Sequence, residues 1–175
     1  KYIAEAGDME RMRKGVRDIL TDNELDLETK ERLVKDKTLA TYIKTSFTQL
    51  GKTVDEVIGS MSYEDVVANE ALIKEQIAQN APSQDIEYAN LDFLSKKLKK
   101  GYAYLDMMKA EKGADKAKIK QLEDALYNEL SEALKGGTLA AKRLAAQQMF
   151  DVLRPNIMVN AIDRMVKEEL DGQKL

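Results

Sequence analysis

Apolar residues recur along most of this chain at steps of three and four, the spacing of one face of an α-helix. Two stretches carry the pattern furthest. Leu91, Leu94, Leu98, Leu105 and Met108 form the first, with Gly101 in the one slot left without an apolar side chain. Gly113-Ala114-Asp115 interrupts, and Ile119, Leu122, Leu126, Leu130, Ala133 and Leu134 resume the stepping. Two matched stripes joined by so short a turn fold back on each other, so the region from Pro82 to Gly137 predicts a long antiparallel helical hairpin.

Shorter helices are expected before it. Met9, Met12, Val16, Ile19 and Leu20 share one stripe over residues 8–21. Gly15 lies in this helix at a cost of about 1 kcal/mol relative to Ala, so the helix needs a partner. Asp26-Leu27-Glu28-Thr29 opens a second helix reaching Leu50, with Leu33, Val34, Leu39, Ala40, Tyr42, Ile43, Phe47 and Leu50 on its buried side. Thr53-Val54-Asp55-Glu56 is a capping box for a third helix. Ser62 starts a further helix to Gln79, with Val66, Val67, Leu72, Ile73 and Ile77 facing inward. Pro82 stops that helix, and Ser83 is placed to cap the next. This break predicts an N-terminal helical subdomain at 1–81, and the hairpin with its C-terminal helices at 82–175.

After Gly136-Gly137, Thr138 caps a helix with a broad apolar face that includes Leu144, Met149, Phe150 and Leu153. Pro155 then kinks it or begins a new helix. Ile157, Met158, Ala161, Ile162, Met165, Val166 and Leu170 make the last helix strongly apolar. The expected fold is all-α: a helical bundle of six to seven helices built around the long hairpin.

Composition narrows the chemistry. The 175 residues contain no Cys and no His, which removes disulfides, the usual zinc sites, His-ligated haem, and the Ser-His and Cys-His nucleophile pairs. A carboxylate site for Mg²⁺ or Ca²⁺ stays open, but no spacing among the 31 acidic residues singles one out. No cofactor is expected. Cysteine absence fits the cytoplasm or another reducing interior. No run of about 18 apolar residues suits a membrane span. Lys1-Tyr2-Ile3-Ala4-Glu5 turns charged at once, so no signal peptide is expected there. A first residue other than Met suggests a processed product or an excised piece.

The net charge of −3 is uneven: 11 basic against 10 acidic residues over 1–52, one against nine over 53–92, and 16 against 12 over 93–175. An acidic block of this kind can steer a partner, although a solvated helix face is the plainer reading.

Four local motifs suggest binding chemistry. Asp22-Asn23-Glu24-Leu25-Asp26 superficially resembles a calcium loop but lacks the central Gly and the twelfth-position Glu. Gly51-Lys52-Thr53 ends like a phosphate loop, yet Ser46 stands where the first Gly belongs and a helix precedes it. Phe47, Leu50, Gly51, Thr53 and Val57 are spaced like a helix-turn-helix, but Asp55 and Glu56 on its second helix oppose DNA phosphates. A simple helix corner is expected. Lys96, Lys97, Lys99 and Lys100, with Tyr102 and Tyr104 just beyond, could form a nucleic-acid patch. A run wrapping around a helix reads better as a solvated flank.

Two functions remain. The first is a non-catalytic helical assembly or adaptor module that binds a protein partner or itself, with Met149, Met158 and Met165 as adaptable contacts. The second is a nucleic-acid-binding oligomer using Arg13, Lys97 and Lys100. The order of small helices, a long hairpin and further helices resembles, in architecture, several oligomeric phage proteins, such as small terminase subunits and connector adaptors, and also plain adaptor and effector modules.

Overall fold

The structure is a computed structural model that describes residues 6–173, with side chains described from Glu10 onward; Lys1–Glu5 and the side chain of Met9 lie outside the described residues. Among the described residues the protein is an all-α bundle with no strand. The chain divides into two compact units, Lys1–Ile86 and Glu87–Leu175. None of the helices is long and apolar enough to cross a membrane, among the described residues.

In the first unit, α1 (Ala6–Thr21) packs on α2 (Leu27–Thr48). Gly15 accommodates this pairing: a Cβ there would collide with the end of the Lys37 side chain on α2. Asp26 caps α2 by accepting the Thr29 N–H at 2.8 Å. At the other end Gly51, with φ of +58°, turns the chain back so that the Lys52 N–H reaches the Ser46 carbonyl at 2.9 Å. Thr53 and Glu56 then close the capping box of α3 (Val54–Gly59). The corner is a packed bend, with Phe47, Val57 and Ile58 buried.

The single helix expected from Ser62 to Gln79 is two helices, α4 (Tyr63–Ala68) and α5 (Glu70–Asn80). Asn69 breaks it: its side-chain Nδ2 donates to the Asp65 carbonyl at 2.8 Å, and its backbone leaves helical angles at φ −111°, ψ 14°. Val66, Ile73 and Ile77, spaced by seven and four residues, are buried on one face, while Val67 is exposed. Leu50, beyond the end of α2, and Leu20, in the last turn of α1, are also exposed rather than packed.

At the end of the first unit Ser83 does not cap a helix; it opens a 3₁₀ turn closed by the Asp85 N–H on the Pro82 carbonyl at 2.8 Å, and the second unit follows. Beyond this turn runs the long α6 (Ile86–Ala110), then α7 (Lys116–Lys135), capped by Asp115. Lys97 meets Glu129 and Lys109 meets Glu123, so residue numbers fall along α7 as they rise along α6, and the pair is antiparallel. Thr138 caps α8 (Leu139–Val152). The chain leaves helical geometry at Leu153 and restarts with Pro155 as the first residue of α9 (Pro155–Gln173).

Helix α6 is contacted by several others, which explains why its stripe is wider than its leucines. Leu98, Gly101 and Leu105 are buried, but so are Ser95 and Lys97. Gln148 of α8 donates to Asp92 at 3.1 Å and to Ser95 at 3.3 Å. Leu126, Leu130, Met149, Met158 and Ala161 complete the core of this unit. Each large side chain closed off from water there contributes about 1.5–3 kcal/mol.

Candidate functional site

The residues singled out by sequence occupy different environments. Met149 and Met158 are 0% exposed. They are core residues of the second unit. Met165 is half-buried on α9. Arg13 is exposed on α1, and Lys100 is half-buried on α6. Lys97 does not lie on a solvated flank: it is 2% exposed and its Nζ lies 2.7 and 2.9 Å from the two carboxylate oxygens of Glu129. A cation so enclosed is unavailable to nucleic-acid phosphates. Lys96, its neighbour, pairs with Asp92 at 3.2 Å.

The second unit carries a polar cleft of about 160 Å³ between the hairpin and α9. Tyr102, Asp106 and Lys109 enter it from α6, Glu123 and Tyr127 from α7, and Asn156, Asn160 and Arg164 from α9. Arg164 is the hub. Its Nη1 donates to Asp124 at 3.0 Å, its Nε lies 3.7 Å from Glu168, and its guanidinium stacks 3.9 Å from the centre of the Tyr127 ring. Tyr127 Oη donates to Glu168 at 2.5 Å. Arg154 pairs with Asp106, and Lys109 lies 3.4 Å from Glu123.

These cations each face a carboxylate, so the cleft has no excess of positive charge to draw an anion. Burial pushes the Tyr127 phenol up to about 12, helped by the Glu168 carboxylate that accepts its hydrogen bond. Burial, with the negative charge of Glu123, does the same to Tyr102. Both phenols are therefore neutral near pH 7 and neither is a base. The arrangement clips α9 onto the hairpin. Among the described residues, no three acidic side chains converge in a way that could hold a metal ion.

The charge order of α7 is a readable signal for this clip. Lys116, Lys118 and Lys120 come early and Glu123, Asp124 and Glu129 late, against the helix dipole. An order unfavourable within the helix is offset across helices, by Lys109 and Lys97 of α6 and Arg164 of α9. The identity of those partners is not readable, because it depends on which faces meet.

A different surface lies on α9. Ile157, Met158 and Ala161 bury one face. Val159, Ile162, Val166 and Leu170, at 53, 37, 53 and 53% exposure, form a second apolar line facing solvent. Leu139 and Phe150 of α8 are exposed as well. In the first unit an apolar groove of about 440 Å³ is lined by Leu39, Tyr42 and Met61 and bordered by Lys35 and Asp65, an ion pair at 3.1 Å.

By fold the protein is an all-α helical bundle. Compared with protein families, curated proteins and solved structures, the chain shows no match.

Proposed function

We propose that this chain is a non-catalytic helical assembly module that acts through protein–protein contacts. Its scaffold is the α6–α7 hairpin, on which α8 and α9 are arranged. One observation carries the reading: α9 has two apolar faces, and only one of them serves its own bundle. The outward line of Val159, Ile162, Val166 and Leu170 runs about 16 Å along the helix at 1.5 Å per residue. A continuous exposed apolar line on a helix is the feature that helix-in-groove and helix-on-helix recognition uses. The charge-balanced cleft supports the same reading, because its ion pairs hold α9 in position and leave its outer face presented.

The test is photo-crosslinking in the cells that make the protein. Val166 is replaced by p-benzoylphenylalanine, and adducts are identified by mass spectrometry. A discrete protein adduct, either with this chain or with another, is expected. Irradiation that yields only the unmodified chain overturns the reading.

A further inference from the structure

The outward line on α9 is nearly the same read in either direction. Val159 and Leu170 stand at its ends and Ile162 and Val166 between them. Reversing the helix brings Val159 level with Leu170, and Ile162 level with Val166, to within about one residue rise of 1.5 Å. Two flanking charges are centred about one residue further along the helix. At about 100° per residue, Asp163 and Lys167 fall on one flank of the line. Both are exposed. Reversal about the midpoint of Ile162 and Val166 brings Asp163 to within about two residue rises, roughly 3 Å, of Lys167.

Resting on the assembly reading above, we infer that α9 pairs antiparallel with α9 of a second copy of this chain, about a two-fold axis near Ile162 and Val166. In a two-fold contact each residue pair occurs twice with roles exchanged. An antiparallel pair brings like flanks together, so Asp163 of each copy meets Lys167 of the other. A parallel pair would set that flank against the opposite one, bringing Lys167 near Glu169 of the other copy and leaving Asp163 without a cation.

Two single helices cover much less than the roughly 800 Å² per partner of a standard stable interface. The dimer is therefore a reversible one, dissociating in the micromolar range or above.

The experiment is sedimentation velocity on the full chain across a roughly hundredfold concentration range reaching hundreds of micromolar. The native chain is expected to shift from monomer to dimer. Asp163→Lys alone and Lys167→Asp alone each oppose like charges twice, and each weakens dimerisation about tenfold or more. Mixing the two variants restores dimer, because every cross-pair is then opposite in charge. The double exchange Asp163→Lys with Lys167→Asp restores it within one chain. Met107→Ser, at an exposed apolar position on α6, leaves the equilibrium unchanged. A chain that stays monomeric throughout, or single variants that fail to rescue each other, overturns the inference. The crosslink at position 166 separates the two readings. An adduct of twice the chain mass supports both, an adduct with a different protein overturns self-pairing and keeps the assembly reading, and no adduct overturns both.

Discussion

Lys97 and Glu129 join the two arms of the hairpin by a doubly hydrogen-bonded ion pair, 2.7 and 2.9 Å, with the lysine enclosed and the carboxylate 35% exposed. The asymmetry of exposure decides what substitution does. Lys97→Met keeps the buried stem and leaves a carboxylate that water can still reach, so it costs about 1–2 kcal/mol. Lys97→Glu sets a second carboxylate against Glu129 in an enclosed site and costs about 3–5 kcal/mol. Urea unfolding of the two variants measures the difference. Equal, near-zero losses would show that Lys97 is solvated.

Tyr127 connects α7 to α9 through Glu168, and Tyr127→Phe is expected to cost about 1–2 kcal/mol in thermal or urea unfolding while the ring stays beneath Arg164.

The same phenols set a pH dependence. Tyr102 and Tyr127 hold their protons to about 12 in the fold, whereas an unfolded tyrosine ionises near 10. Their contribution to stability is complete below about pH 10 and is lost as pH rises to about 12, because only the unfolded chain releases the protons in that interval. Tyrosinate absorbance should include a late component developing towards pH 12, and Tyr127→Phe should remove about half of it. A native titration without that component contradicts the burial of both rings.

Ser46 is fully buried on α2, and its hydroxyl has no hydrogen-bond partner among the described residues. Ser46→Ala removes a desolvated polar group at little cost in volume and is expected to raise stability by about 1 kcal/mol. A loss on substitution would reveal a partner for the hydroxyl.

Gly51 has a left-handed φ of +58° and open space where a Cβ would stand. The cost of Gly51→Ala is therefore conformational alone, about 1–2 kcal/mol, and Gly51→Asn should cost less because Asn tolerates that region. Equal values for the two variants would mean that the bend relaxes out of the left-handed conformation.

The sequence by itself determined what is local. Period and capping chemistry locate most helices, because an N-cap such as Asp26, Thr53 or Thr138 acts within three residues of itself. The return stripe from Ile119 to Leu134 is half-buried or buried at every predicted position. The break at Asn69 leaves no such mark, since its side chain has only to win one carbonyl from a helix that propensity favours.

Tertiary structure decided the fate of individual faces. Lys97 reads in sequence as one cation of a surface run and is enclosed, because the side of α6 that carries it is the side α7 covers. Met149 and Met158 read as adaptable contacts and are core. Ile162, Val166 and Leu170 belong to the same apolar pattern as Met158, yet they face out, and Val159 joins them there. Periodicity reports that a residue lies on an apolar side of its own helix. Which side meets a neighbour depends on contacts between residues far apart in the chain, and no local pattern records them.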